Sequence, residues 1–275
     1  PDPTHSSDME RFRGKIIWLT GASSGIGEAL AFAFAREGAV LVLSSRRADE
    51  LERVRQGLAR PEDHFCLPLD LALSATFPAL TAKILGKFGR VDILVNNGGV
   101  SQRALAADML LEVERTMMEV NYFGTVALTK ALLPSMLARH AGHVVVISSV
   151  MGYVGTPGRS TYSASKHALH GYFDSLRAEI WRDGLKVTIV CPGYVLTKVS
   201  ANALGAHGEK HGVTDATHRR GISPGRCAEA TLRAIARGKE EISIGGFETW
   251  AIMLKRFLPG VFSRIARKMK FSEST

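Results

Sequence analysis

The sequence predicts one α/β domain, a doubly wound sheet of seven parallel strands with helices on both faces, followed by a basic amphipathic tail. Three observations predict it. Short β-branched runs alternate with longer stretches of helical periodicity along the chain. The strand runs are almost continuously apolar, as strands covered on both faces must be. The first of them leads directly into a glycine-rich turn and an amphipathic helix. With 275 residues, 45% of them hydrophobic, the chain can bury one large core, and no linker, repeat or low-complexity run divides it. The domain is expected over residues 14–249, with 250–275 as an extension.

Lys15–Thr20 opens the sheet, and after the glycine-rich turn Ile26, Leu30 and Phe34 share one helix face. Val40–Ser45 and His64–Leu69 are the next two apolar runs. Asp92–Val95 follows and ends in an asparagine-rich turn. His143–Ser149 precedes a helix on which Leu169, Phe173, Leu176 and Ile180 recur at three- and four-residue spacing. Leu185–Cys191 runs into a Pro-Gly turn, and Glu241–Ile244 is the seventh strand.

The turn after Thr20 reads Gly21-Ala-Ser23-Ser24-Gly25-Ile26-Gly27. Gly21 permits the tight turn, Gly25 lets backbone approach a pyrophosphate, and Gly27 lets the helix pack close to the sheet. The helix start offers free N–H groups and a positive dipole end to phosphates, which makes Ser23, Ser24 and Ile26 contact candidates beside the glycines. The spacing, Gly-x3-Gly-x-Gly, resembles the cofactor motif of the short-chain dehydrogenase/reductase family, whose members carry a single Rossmann domain.

The end of the second strand discriminates between nicotinamide cofactors. An acidic residue there accepts from a ribose 2′-hydroxyl and repels a 2′-phosphate. This chain has Ser44-Ser45-Arg46-Arg47. Ser45 fills the acidic position, and Arg46 can pair a phosphate bidentately, so NADP(H) is the expected cofactor. Arg47 is the weaker candidate, either solvated or stacked on adenine. By resemblance, Asp70 contacts the adenine edge and Leu71 flanks the ring. Asn96-Asn97-Gly98-Gly99 resembles the family's Asn-Asn-Ala-Gly turn, with Gly98 in place of alanine.

Tyr162 and Lys166 stand four apart at a helix start, which puts both on one face. A phenol near pKa 10 is a poor acid–base group at neutral pH, and a neighbouring ammonium favours its ionised form. The family uses an Asn–Ser–Tyr–Lys tetrad at about the separations of Asn121, Ser149, Tyr162 and Lys166. The resemblance implies that Ser149 bonds the substrate oxygen, that Lys166 holds the nicotinamide ribose, and that Asn121 holds a relay water. Ser148 rivals Ser149, but alternation along a strand lets only one face the cleft. After the sixth strand, the resemblance implies that Pro192-Gly193 shapes the nicotinamide pocket, with Val195 and Thr197 near the carboxamide. Met151, within Val150–Val154, and Tyr194 are expected substrate walls beside Ser149 and Tyr162. More narrowly, Asn121–Gly124, Ala127–Met136, Ser165–Ala168 and Leu176–Glu179 resemble the dehydrogenase/reductase member 7 group, and more distantly the 11β-hydroxysteroid dehydrogenases.

The implied reaction is interconversion of a carbonyl and a secondary alcohol on a steroid- or lipid-like small molecule. A catalytically silent cofactor-sensing or membrane-docking protein on the same fold is the alternative. A homodimer or homotetramer is expected through the helices carrying Asn121 and Tyr162, where Ala127 and Ala131 are small enough for close contact. The formal charge is +9, and six of the positive charges fall between Trp250 and Phe271 with no negative one. That distribution suits an acidic membrane surface more than nucleic acid. The tail's apolar side either meets a membrane or packs on the domain or a second subunit. Three cysteines without metal-like spacing imply a reducing, cytoplasmic setting. No apolar run reaches the roughly 18 residues of a membrane helix. The chain begins at Pro1 rather than Met, which leaves room for an upstream segment. By resemblance to the family, the insert Val199–Ser223 is expected to cover the substrate as a mobile lid. Its His207, His211 and His218 lack a fixed ligand pattern, so no metal is expected.

Overall fold

A computed structural model describes residues 10–197, 199–212 and 221–269. His218, Lys270 and Phe271, which entered the expectations above, lie outside these residues. Seven parallel strands form one sheet in the order β3-β2-β1-β4-β5-β6-β7. They are β1 Ile16–Thr20, β2 Val40–Ser44, β3 Phe65–Cys66, β4 Ile93–Asn96, β5 Gly142–Ile147, β6 Leu185–Pro192 and β7 Glu241–Ile244. The order reverses between β1 and β4, so the loops leaving their carboxyl ends diverge and open a crevice.

Alternation along the strands divides the core. Ile17 and Leu19 of β1, Leu41 and Leu43 of β2, and Val145 of β5 face one layer. There they meet α1 (Gly25–Arg36), α2 (Ala48–Gly57) and α7 (Pro224–Ala236) through Leu30, Phe34, Leu51, Val54 and Leu232. Trp18, Val42, Val144 and Val146 face the other layer. That layer holds α3 (Phe77–Phe88), α5 (Gly124–Ala138) and α6 (Ser160–Ile180), with Phe77, Leu128, Phe173 and Leu176 in the contact. Each such fully buried large side chain is worth about 1.5–3 kcal/mol relative to exposure. Trp18 buries its indole without losing a hydrogen bond, because Nε1 donates to Ser44 Oγ at 2.9 Å.

The strands begin and end within a few residues of expectation, and two differences have clear causes. His64–Leu69 was expected as β3, yet the regular strand is Phe65–Cys66 only. Pro68 has no N–H to give to a ladder, although Leu67 and Leu69 still donate to Leu43 and Ser45 at 2.8 and 3.0 Å. Ser149 was expected to end β5, but the strand stops at Ile147. Ser149 instead caps the 3-10 turn Val150–Gly152, its Oγ accepting from Met151 N.

Asn121 lies in a continuous helical run, as expected, with one addition. Between α4 (Leu111–Met118) and α5, residues Glu119–Phe123 form a π turn. Such turns re-aim side chains inside a helix. The run here passes so close to the chain after β3 that a Cβ on Gly124 would sit 2.3 Å from Leu71 O.

The tail divides at Pro259 into α8 (Trp250–Phe257) and α9 (Pro259–Lys268). Lys255 Nζ donates to Tyr153 O at 2.7 Å and ties the tail to the domain. No helix among the described residues is long and apolar enough to cross a membrane. Cys191 and Cys227 are buried and Cys66 half-buried, all as free thiols.

Candidate active site

The crevice between the ends of β1 and β4 is part of one cleft of about 1430 Å³. It runs from Ser45, Arg46 and Arg47 across Gly21, Ser23, Ser24, Gly25 and Ile26 to Tyr162 and Lys166. Asp70, Leu71, Asn97, Gly98 and Gly99 line its middle, and Ser149, Met151, Pro192, Gly193, Tyr194, Val195 and Thr197 its far end. Of the expected catalytic, cofactor and substrate contacts, all but Gly27 and Asn121 line it.

Gly27 lies beneath the cleft. A Cβ there would meet Gly21 O at 2.1 Å and Asn97 Nδ2 at 2.5 Å. Gly21 and Gly25 have φ of 65° and 61°, in the left-handed region. The phosphate turn is locked to the turn after β4. Thr20 Oγ1 accepts from Asn97 N and Gly98 N, both at 3.0 Å. Asn97 Nδ2 returns the contact to Thr20 O at 3.0 Å and Gly21 O at 3.2 Å. Asn97 therefore shapes the turn with its amide while lining the cleft. A dinucleotide fits this surface, since Gly21 and Gly25 line it without side chains and let backbone approach a phosphate.

At the Ser45–Arg47 end of the cleft the two arginines behave differently. Arg47 NH2 donates to Ser23 Oγ at 3.1 Å, across the phosphate turn. Arg46 is exposed and has no hydrogen-bond or ion-pair partner among the described residues. Ser45 Oγ accepts from Arg47 N at 3.3 Å, and Asp70 Oδ1 from Ala72 N at 3.0 Å.

At the opposite end α6 begins just before Tyr162. Its first N–H groups are satisfied from a distant loop: Gln102 Oε1 accepts from Thr161 N at 2.9 Å and Tyr162 N at 3.0 Å. Gln102 is completely buried and was not legible as a site residue, because nothing near it in sequence marks a helix start sixty residues on. The Ser149 hydroxyl and the Tyr162 phenol line the same cleft, and the hydroxyl favours the ionised phenol. It also lies 3.1 Å from Met151 N and 3.3 Å from Pro192 O. Ser148 Oγ instead pairs with His170 Nε2 at 2.9 Å.

Lys166 Nζ donates to Ile147 O at 2.9 Å and stands 5.8 Å from the Tyr162 ring centroid. Burial disfavours its charge and brings its pKa down to about 8. Burial also raises the Tyr162 phenol above its usual value, and the Arg159 charge and the Ser149 hydroxyl oppose that rise. Arg159, buried, and Arg103, half-buried, are two cations at the cleft that carry no local sequence signal. Burial first, then the neighbouring Arg159, brings Arg103 down to about 10.

Asn121 is buried behind the cleft wall. Its Oδ1 accepts from Val100 N at 2.8 Å, and its Nδ2 donates to Val100 O at 2.9 Å and Ser165 Oγ at 3.0 Å. The side chain thereby ties the turn after β4 to α6.

The tail walls the cleft that holds Tyr162, with Trp250, Met253, Leu254, Phe257, Phe262 and Ile265 reaching it. Glu248 joins the tail to the Pro-Gly turn by accepting from Tyr194 N at 2.9 Å. Val150, Met151 and Val154 line the cleft as expected, whereas Tyr153 turns away and packs edge-on against His170, ring centroids 4.4 Å apart. Residues 199–212 are stitched to the loop after β4: Leu204 N donates to Ser101 O, and Arg103 N to Leu204 O, both at 2.8 Å. Among the described residues no group of three His, Cys, Asp or Glu side chains could hold a metal ion.

Comparison with known proteins places this geometry. A family described as "short chain dehydrogenase" matches residues 15–206. A Drosophila melanogaster protein named "Dehydrogenase/reductase SDR family protein 7-like" is 44% identical over 263 residues, covering 93% of this chain and 80% of that protein. A short-chain dehydrogenase structure from Streptomyces avermitilis superposes with a TM-score of 0.79 at 29% identity, over 92% of this chain and 96% of that one. An alcohol dehydrogenase from the archaeon Thermococcus sibiricus, complexed with 5-hydroxy-NADP, gives a TM-score of 0.73 at 27% identity over 86% and 98% of the two chains.

Proposed function

The chain belongs to the short-chain dehydrogenase family, and from that premise we propose that it is an NADP(H)-dependent oxidoreductase interconverting a carbonyl and a secondary alcohol on a hydrophobic, steroid- or lipid-like molecule. The observation that carries the reading is the meeting of the Tyr162 phenol, the Ser149 hydroxyl and the Lys166 ammonium in the cleft that the glycine turn opens. The nicotinamide cofactor supplies the hydride in reduction and accepts it in oxidation. Tyr162 gives its proton to the substrate oxygen in reduction and takes it back in oxidation. Ser149 donates to the same oxygen and holds it against the phenol. Lys166 favours the ionised phenol and holds the ribose. Asn121 acts from behind, since its side chain is fully engaged in positioning α6 and the turn at Val100.

NADP(H) preference rests on the absence of an acidic residue at Ser45 and on the free guanidinium of Arg46. The NADP-complexed archaeal relative supports it. A charge-assisted, partly exposed phosphate contact is worth about 1.5–3 kcal/mol, or roughly ten- to a hundred-fold in affinity. Arg46→Ala is therefore expected to raise the Kd for NADPH by that factor and leave NADH nearly unchanged. Ser45→Asp goes further, because it adds repulsion of the phosphate and a ribose acceptor together. Titration of both cofactors decides the matter: an equal loss for NADH and NADPH removes Arg46 from phosphate recognition, and tighter NADH binding by the wild type removes the NADP assignment.

A hydrophobic substrate follows from the apolar tail residues at the cleft, of which Trp250, Met253, Phe257 and Ile265 remain exposed. With Lys255, Arg256, Arg264, Arg267 and Lys268 on the same two helices, we assign the 250–275 extension to an acidic membrane surface, on the cytoplasmic side. The full chain should pellet with phosphatidylserine vesicles, and a chain ending at Thr249 should not; equal pelleting of the two sinks this assignment. The 14–249 domain is further expected to pair as a homodimer or homotetramer through α5 and α6, where Ala127 and Ala131 are half-buried. Light scattering that gives a monomer at micromolar concentration counts against it.

A further inference from the structure

We infer that Arg159 is a positioning residue of this reaction, its buried guanidinium held over the ring of Tyr162 so that negative charge on the phenol oxygen is stabilised. The inference rests on the reading of Tyr162 as the proton-transfer group. Arg159 immediately precedes α6 and stands three residues, about one turn, before Tyr162. Its guanidinium carbon lies 5.7 Å from the ring centroid, as near as the Lys166 ammonium at 5.8 Å. Both are within the roughly 6 Å at which a cation is attracted to an aromatic face.

Arg159 is only 7% exposed, and its NH1 donates to Ser101 Oγ. The next residue, Gln102, holds the N–H groups of Thr161 and Tyr162. One short loop therefore fixes both the cation and the start of the helix that carries the phenol. Burying a guanidinium disfavours its charged form, and Arg103 adds like-charge repulsion. A structure that keeps two buried cations, Arg159 and Lys166, 5.7 and 5.8 Å from one phenol ring maintains a positive field where negative charge develops in catalysis. Among the influences on Tyr162, the Arg159 charge is the leading one that opposes the effect of burial.

The remaining charged and titratable neighbours are few. Lys166 lies on α6, and Glu114 on α4 is engaged by Thr161 Oγ1 at 2.6 Å. Arg103 lies in the loop after β4, Tyr194 after β6 and His211 in the 199–212 segment, each electrostatically coupled to Arg159. Lys166 begins to lose its charge near pH 8, whereas a guanidinium starts from a far higher value and keeps its charge where an oxidation rate rises.

The test is a pH titration of phenolate absorbance in the near ultraviolet, with the full chain and NADP+ bound. Each protein is paired with its own Tyr162→Phe version, so that the difference isolates Tyr162. Removing a cation destabilises phenolate, so Arg159→Gln should raise the midpoint by about 1–2 pH units. Arg159→Lys should restore most of it, and NADP+ affinity should not change in either. Ser101→Ala keeps the charge but releases its anchor, so it should raise the midpoint by less; it carries the test if Arg159→Gln does not fold. An unchanged midpoint in Arg159→Gln, or in Ser101→Ala where it stands in, overturns the inference. So does an Arg159→Lys protein that binds NADP+ normally yet shows the midpoint of Arg159→Gln. Failure of the underlying reading is separate: Tyr162→Phe alone would then leave carbonyl reduction by NADPH intact.

Discussion

Tyr162→Phe is expected to abolish turnover while leaving the fold and NADP(H) binding in place. The ring packs with Ala104, Met109, Val113 and Met117, and phenylalanine keeps that contact. The hydroxyl alone is lost, and with it the only group proposed to move a proton to or from the substrate oxygen. Positioned acid–base groups contribute about 10²- to 10⁴-fold, so the rate should fall by at least that range. Ser149 is not orphaned by the change, because its Oγ still has Met151 N and Pro192 O within reach. Stability should therefore change by no more than about 1 kcal/mol, the net worth of one hydrogen bond. Steady-state rates on a carbonyl panel, with an NADPH titration of the same preparation, check both halves. Residual activity above about a hundredth of wild type would falsify the acid–base assignment, given the size of such contributions. Lost cofactor binding at normal stability would instead make the phenol a ligand of the cofactor.

Gly27→Ala should be the most damaging single-methyl change in the phosphate turn. The added Cβ would lie 2.1 Å from Gly21 O and 2.5 Å from Asn97 Nδ2, far inside van der Waals contact. Neither neighbour can yield cheaply. Gly21 O is backbone in a left-handed turn, and Asn97 is bonded to both Thr20 O and Gly21 O. The helix must move off the sheet, which costs about 1–3 kcal/mol or more as overpacking. It also displaces the N–H groups that would face the phosphates. NADPH affinity is expected to fall by two orders of magnitude or more, with a lowered Tm. Gly25→Ala provides the contrast. Its Cβ would approach only the Thr197 side chain, at 3.3 Å, so the main penalty is the left-handed backbone, about 1–2 kcal/mol. Thermal unfolding and cofactor titration of the two variants compare them directly. A Gly27→Ala protein with the Tm and Kd of wild type would show that this close approach does not shape the site.

The parts of the site that could be read early are those encoded within a few residues of one another. The glycine turn, the Tyr162–Lys166 pair and the Pro192-Gly193 turn each carry their meaning in local spacing, and all of their residues but Ala22 and Gly27 line the cleft. Readings that depended on which way a side chain leaves the backbone fared differently. Arg46 and Arg47 are adjacent and chemically alike, yet only Arg47 reaches Ser23. The Asn121 side chain bonds Val100 and Ser165, partners that no spacing near Asn121 announces. Ser149 was expected within β5 and turned out to cap the turn beyond it, which is how its hydroxyl comes to face the phenol.

The sequence by itself determined the class of this protein: alternating apolar runs and helical periods require a doubly wound parallel sheet, and a glycine turn after the first strand requires a crevice for phosphates. Period and turn chemistry act over a few residues, so they survive in the bare order of amino acids. Only the tertiary structure decided what surrounds the reacting phenol. Gln102 and Arg159 meet there because the loop after β4 and the start of α6 leave neighbouring strands at the same end of the sheet. The tail walls the same cleft because Glu248 accepts from Tyr194 N and Lys255 reaches Tyr153 O across about a hundred residues of chain. Contacts at such separations depend on strand register and on how loops pack, and no local pattern encodes either.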